Sequence, residues 1–596
     1  MRNFKGIITL DSFNYELVRM PSATFQTEHF SLWTSDLSLV KTPDDRWIAT
    51  GFCRIDNRSS LHRILTIDDG VSDLQVMILG FGKIGVDFLT HVIGDFSCVI
   101  YNTVDKDCYL IKDHIGIKPL FYFNDHKNLY FASDIPSLMG LLPTKPSLQE
   151  IFLARELKKI NNPLEKTSFE GIKRLKPAHF LEISHDGKLF EKKYWDLQSI
   201  DLSFCKTEED YLTYLRELFS EAIACRIKGK QSVGSQLSGG MDSSAITVLL
   251  SRLMSRDDLH TFSFVLNEET KKYGEKLVDE QRTQEAILDY ANLNRANHHL
   301  IESFHYQNVW EELGRTLAVE GEITSQTSIW QDTLFMNAAK EGVEVMFSGF
   351  PGDEGVSFSG GKYYYEYLAK IDVKGLIQHF LDFRMNAIKG ILNYFKLKKE
   401  GSFFSDFSAL QEMRSVLRST YPLKESKEDE AFPFFSSFRE FQRFKMTQTH
   451  ICLRCESEGL FANTYGIDMV YPLADIRLLE AVYSLPVHMF KPKPYNRAVF
   501  RNICKGILPD VVRLQPKFSG AKTLAFADYW ISDKYEQLKL YTLKNSMNLL
   551  EEVQKLEELP AESELMKKKR IVFAKSMDYF IEQYLSEKNV HEAAGD

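Results

Sequence analysis

The chain has 596 residues, 44% hydrophobic and 26% charged, with a formal net charge of −9. That length asks for two or three domains, and the acidic balance excludes broad nucleic-acid binding. No run approaches the ~18–20 apolar residues that cross a bilayer, Ile7–Leu10 is too short for a signal-peptide core, and the eight cysteines are scattered rather than spaced as a disulfide framework. A cytoplasmic enzyme with neither a nucleic-acid nor a membrane partner is expected.

Residues 1–200 read as a β-rich domain, in which apolar runs at Gln75–Leu79, Phe96–Tyr101, Cys108–Ile111 and Leu120–Phe123 are punctuated by Asp, Asn and Gly turns. Ser199–Lys206 reads as a linker. From residue 207 to 596 the pattern changes: Glu208–Arg226 has helical spacing, and strands then alternate with longer helices, as in a parallel sheet with helices on both faces. Residues 362–450 read as mostly helical and rich in aromatic and basic residues. Glu551–Glu564 and Lys567–Arg570 read as exposed charged helices ahead of a loose tail. Cys452 and Cys455 form a lone C-x-x-C with no second ligand pair at zinc spacing. Three residues apart in a helical stretch they share one face and read as packing.

Val233–Met254 carries the most chemistry. A short strand ends at Leu237, a Ser238-Gly239-Gly240-Met241-Asp242-Ser243-Ser244 loop follows, and a helix begins with Ile246, Leu249, Leu250 and Leu253 on one side. Glycines let the backbone approach an anion, and a helix N-terminus offers free N–H groups and a positive dipole end. Ser238, Ser243 and Ser244 add hydroxyls. Asp242 repels phosphate directly and makes sense as a Mg²⁺ ligand bridging to it. The loop lacks the Gly-Lys-Ser/Thr element of a Walker A motif. A second strand, Glu344–Phe347, runs into Ser348-Gly349-Phe350-Pro351-Gly352-Asp353-Glu354-Gly355. Parallel strands deliver both loops to one carboxyl edge, so Asp353 is expected to meet Asp242 across one magnesium ion.

SGGMDSS resembles the pyrophosphate loop of the N-type ATP pyrophosphatases, and nearly the whole chain is similar to the asparagine synthetase superfamily. In the first domain the resemblance rests on Arg54–Arg58, Ile93–Phe96, Lys112–Tyr122, Phe131–Asp134 and Tyr194–Asp196. In the second it rests on SGGMDSS, Asp279-Glu280, SGFPGDEG, Tyr471–Asp475 and Lys517 in Gln515–Phe518. It implies an α/β architecture: an N-terminal-nucleophile-hydrolase-like αββα sandwich followed by a doubly wound ATP-pyrophosphatase domain with many helices. It also implies ATP and Mg²⁺, with a carboxylate adenylated and then passed to an amine. Leu237, Phe264, Ser348 and Gly349 would line the adenosine, Asp242 and Asp353 would hold the metal, and Lys517 would steady charge on the leaving pyrophosphate and the later oxyanion.

Glutamine-dependent members of the superfamily carry an N-terminal cysteine nucleophile. Here Arg2 follows Met1 and no cysteine precedes Cys53, so glutamine hydrolysis is expected to be lost. Two branches share that loss, the β-lactam and carbapenam synthetases and the lasso-peptide macrolactam synthetases. Glu456 matches the place of the catalytic glutamate of β-lactam synthetases, whose tyrosine partner is replaced by Phe350. Glu456 is therefore either a general base, alone or with another partner, or an ion-pair partner of Arg454 or Arg443. The leading expectation is a macrolactam synthetase joining an Asp or Glu side chain of a peptide to its N-terminal amine, with a leader peptidase and a precursor-recognition protein as partners. A β-lactam-type synthetase acting on a small carboxylate and amine, an ammonia-dependent asparagine synthetase and a non-catalytic nucleotide-binding relic are the alternatives.

Overall fold

Residues of the first domain alternate between two destinations, and that alternation builds its layers. In the strand Asn3–Thr9, Phe4 and Ile8 enter one buried cluster while Ile7 enters another. In Gly94–Asn102, Val99 and Tyr101 face the first of these clusters, whereas Phe96, Cys98 and Ile100 face a third. A period of two with both faces buried means that each sheet is covered twice. The computed structural model describes the chain apart from residues 11–22, 36, 67–69, 158–161, 266–280, 303–304, 307, 325–326, 401–433, 493, 516–524, 539–563 and 594–596.

Two antiparallel six-stranded sheets stack through Phe4, Phe30, Val99, Tyr101 and Leu110. The helix Asp73–Ile84 covers one outer face, and helices Ile135–Met139 and Glu150–Leu157 cover the other. This is the αββα sandwich that the resemblance implies. Gln75–Leu79, expected among the strands, lies in the helix Asp73–Ile84. A reciprocal capping box, with the Gln75 N–H on Ser72 Oγ and the Ser72 N–H on Gln75 Oε1, starts that helix.

The second domain is built on five parallel strands in the spatial order His298–Ile301, Leu259–Phe264, Val233–Gln236, Val345–Phe347, Asp468–Val470. Chain order reverses direction at Val233–Gln236. The loops after this strand and after Val345–Phe347 therefore diverge at a topological switch point, where doubly wound sheets open a ligand crevice. Helices Glu208–Ile227 and Met241–Leu253 follow the expected spacing. The 199–206 linker is docked: Leu202 and Cys205 are buried, and the Ile200 N–H donates to Ser484 Oγ at 2.7 Å.

The C-terminal helix Glu564–Ala593 corrects the expectation of a loose charged tail. Val572, Met577, Phe580 and Ile581 are buried against the first domain, with Phe169 edge-on to Phe580 at 6.0 Å. Its apolar stripe was outweighed in the sequence by the lysines that flank it. Residues 551–563 and 403–404 lie outside the described residues.

Candidate active site

The strand Val233–Gln236 is held in register by the Leu237 N–H on the Phe262 carbonyl at 2.8 Å, and Ser263 Oγ donates to the Leu237 carbonyl at 2.5 Å. These bonds fix where the loop begins. Gly239 then takes φ +77°, a turn that only glycine adopts without strain. Ser238 and Ser243 hydroxyls meet at 3.0 Å, and the Ser238 N–H donates to Ser243 Oγ at 3.2 Å, closing the loop on the start of the helix Met241–Leu253. Gly240 caps that helix with no side chain over its N-terminus, so its first N–H groups face the cleft. Ser244 is fully buried beneath the loop.

The second loop lies against the first. A Cβ on Gly349 would stand 2.8 Å from the Ser243 nitrogen, and one on Gly352 would stand 2.7 Å from Asp242 Oδ1. The first contact is with backbone and requires glycine at 349, whereas the second is with the Asp242 and Leu473 side chains. Together the loops wall a cavity of about 520 Å³, to which Leu237, Ser238, Asp242, Phe264, Ser348 and Asp353 all contribute.

Arg497 joins the two loops' carboxylates. Its guanidinium sits 3.1 Å from Asp242 Oδ2 and pairs with Asp353 through its other terminal nitrogen, while the residue itself is 6% exposed and held in a left-handed turn, φ +59°. Two carboxylates converging on one cation are a donor set for a hard divalent ion, so Asp242 and Asp353 fit the magnesium role expected of them. The long gap in sequence, 255 residues from Asp242, left Arg497 unremarked in the sequence. Lys517 lies outside the described residues. Two positions earlier, Gln515 lines the cavity, and its carbonyl accepts from Arg501 Nη2 at 2.9 Å.

The far wall is aromatic and cationic. The Arg454 guanidinium lies over the Phe350 ring at 4.2 Å and near the Trp330 ring at 5.9 Å, and Trp330 packs on Phe264 at 5.5 Å. Behind it runs a buried polar chain. Arg454 Nε and Gln331 Nε2 donate to Glu458 Oε1 at 2.7 and 2.6 Å, Tyr471 Oη donates to Glu458 Oε2 at 3.0 Å, and Gln331 connects through Gln236 to Ser348 Oγ. Neither Trp330 nor Glu458 stands in a motif that flags it.

The structure does not bring Glu456 to the cleft. It lies on the opposite face of the helix Thr449–Thr464, buried at the domain seam, where Arg174 Nε donates to Oε2 at 2.7 Å and Lys112 Nζ pairs with Oε1. Burial opposes its charge, but Lys112 and Arg174 prevail and hold the carboxyl below the usual range. Its ion pairs are with the first domain rather than with the expected Arg454 or Arg443. Arg454 pairs with Glu458, and Arg443 with Asp196. Cys452 and Cys455 are buried on this helix, Cys452 Sγ 3.4 Å from the Gly116 carbonyl. Asp475 of the Tyr471–Asp475 motif also serves the seam, binding Arg226, which reaches Asp56 of the first domain.

The family model for asparagine synthase matches residues 214–570, and the model for a glutamine amidotransferase domain matches residues 58–195. The chain is 26% identical over 459 residues to glutamine-hydrolysing asparagine synthetase 2 of Bacillus subtilis, a match covering 72% of this chain and 56% of the relative. It is 22% identical over 464 residues to asparagine synthetase 1 of the same organism, covering 74% and 70%. To amidase chyE of Penicillium rubens it is 30% identical over 188 residues, covering 31% and 27%. The chain thus spans little more than half the length of the first of these relatives. With one family model reaching over more than half of its residues, and with both loops of the switch point inside that match, the chain belongs to the asparagine synthase family.

Proposed function

We propose that this chain is an ATP-dependent synthetase that adenylates a carboxylate, releasing pyrophosphate, and passes the acyl group to an amine with release of AMP. The observation that carries the reading is the convergence of Asp242 and Asp353 on Arg497 at the mouth of a cleft floored by a glycine-rich helix N-terminus. A magnesium ion held by those two carboxylates would neutralise phosphate charge. The Ser238–Ser243 backbone and the Ser238 and Ser243 hydroxyls bind the phosphates, Leu237 and Phe264 pack on the nucleoside, and Ser348 and Gly349 border it, while Ser244, buried beneath the loop, supports it. Arg497, with Lys517 on the resemblance, opposes the negative charge that grows as pyrophosphate leaves.

The acyl substrate is a peptide side-chain carboxyl, and the attacking amine is that peptide's own N-terminus, closing a macrolactam. Phe350, Trp330 and the Arg454 guanidinium over Phe350 support this: they form a wall suited to an apolar segment beside the reacting carboxyl. A leader peptidase and a precursor-recognition protein would supply the peptide, in the cytoplasm where ATP is available. With Glu456 sequestered in ion pairs, the proton of the attacking amine leaves by another route.

The test is release of AMP and pyrophosphate from Mg-ATP with aspartate plus ammonia in one reaction and a leader-free core peptide in another. Turnover with the peptide alone, yielding a product lighter by one water, is expected. Turnover with aspartate plus ammonia alone would make the chain an ammonia-using asparagine synthetase and end the macrolactam reading. Alanine at Asp242 or Lys517 should abolish AMP formation in either case.

A further inference from the structure

The two helices Val373–Phe383 and Met385–Glu400 present a second apolar face, outward. They contact each other and join at Arg384, which takes φ +47°. Their inward sides are anchored: His379 Nδ1 meets Tyr363 Oη at 2.8 Å, Tyr394 Oη donates to the Ser436 carbonyl at 3.0 Å, and Ala387 and Leu397 are buried. On the outward side of the first helix Val373, Ile377, Phe380 and Leu381 recur at helical spacing, and on the second Met385, Ile388, Leu392 and Phe395 do the same. All eight are between 38% and 64% exposed, and Ile371 at the start of the hairpin is 79% exposed. Isolated exposed apolar residues need no explanation, but a continuous stripe of them marks a contact surface.

The charge around the stripe says which contact. Lys374, Arg384, Lys389, Lys396, Lys398 and Lys399 are exposed along the hairpin, against one exposed acid, Asp372, among its described side chains. This stands out in a chain of net charge −9. Protein interfaces deplete lysine and favour tyrosine, tryptophan and arginine. Lysines interleaved with Ile, Leu, Phe and Met on an amphipathic helix are instead the composition of an element lying in the plane of an anionic bilayer surface. We propose that the 371–399 hairpin docks the protein on an anionic lipid surface, its stripe entering the headgroup boundary and its lysines meeting lipid phosphates. Among the described residues no helix is long and apolar enough to cross a membrane. The expectation of no membrane partner rested on spanning length, which a surface contact does not require. This proposal does not depend on the reaction proposed above.

The experiment is cosedimentation of the full chain with large unilamellar vesicles of phosphatidylcholine alone, and of roughly seven parts phosphatidylcholine to three of phosphatidylglycerol, at low and high salt. Binding to the mixed vesicles only, weakened by salt, is expected. The triple variant Ile377→Gln, Leu381→Gln, Leu392→Gln should lose it. The quadruple variant Lys374→Gln, Lys389→Gln, Lys398→Gln, Lys399→Gln should bind at least about 100-fold more weakly, since each neutralised lysine costs roughly fivefold. Both variants should keep the parent's melting temperature, because the substituted side chains face solvent. Absence of binding to the mixed vesicles, or equal binding to both kinds, overturns the proposal. So does a dimer in sedimentation velocity that the triple variant abolishes without any vesicle binding, which would make the face an interface between copies.

Discussion

Arg174 of the first domain donates its Nε–H to Glu456 of the second at 2.7 Å, with both side chains about 95% buried. Lys112 and Glu322 complete the cluster. Removing one member of such a group leaves uncompensated buried charge, which costs about 3–5 kcal/mol. Glu456→Ala should therefore lower the unfolding free energy by that order, read by denaturant titration. Whatever activity survives should keep the parent's pH–rate profile. A profile that loses its acidic limb in Glu456→Gln would return Glu456 to the role of general base.

Arg497 is the charge that lets Asp242 and Asp353 approach each other. If it opposes charge on the departing pyrophosphate, Arg497→Ala should slow substrate-dependent ATP–pyrophosphate exchange by about 100-fold or more, the usual cost of one such donor. Arg497→Lys should recover part of the rate. Unchanged exchange in Arg497→Ala would remove it from the site.

Both loops could be read from the sequence because each is local: a strand, a glycine-rich turn and the residues that follow carry their own conformational signal. What faces the cleft from the helix Thr449–Thr464 could not. Arg454 and Glu458, four apart, share the cleft-side face, while Cys452 and Glu456, also four apart, share the face toward the first domain. Two residues of offset decide between catalysis and the seam, and only tertiary packing sets the rotation. The strands of the first domain were legible as apolar runs between turns, while the sandwich came from the resemblance, and the run at Gln75–Leu79, with Val76, Met77 and Ile78 buried, carries no period to separate helix from strand.

Gly349 carries a prediction about the contact between the loops. An alanine Cβ there meets the Ser243 backbone nitrogen at 2.8 Å, and a backbone atom cannot rotate away as a side chain would. Gly349→Ala should push the phosphate loop from its place and lower kcat at least about tenfold, since small displacements of positioned groups are costly in rate. The melting temperature reports separately on the packing of Met241 and Phe350 with the large core. A variant with full kcat would mean that the loops separate during turnover.

Glu320 predicts how stability depends on pH. It ends the helix Val309–Glu320 at a buried position, where Ser457 Oγ and Thr327 Oγ1 donate to its two oxygens at 2.5 and 3.1 Å. Burial pushes its carboxyl up to about 7, against those hydrogen bonds and from an ordinary value of 4.5. A folded-state value above the unfolded one means that the native protein binds this proton more tightly. The associated stability is full below about pH 4.5 and is lost as pH rises through about 7. Glu320→Gln cannot ionise and keeps an acceptor for Ser457. The variant should match the parent near pH 5 and exceed it in melting temperature near pH 8. Parallel melting curves for the two proteins across that range would show that Glu320 ionises in the fold at its ordinary value. Ser457 lies between Glu456 and Glu458, so the same titration bears on how firmly the cleft helix is anchored.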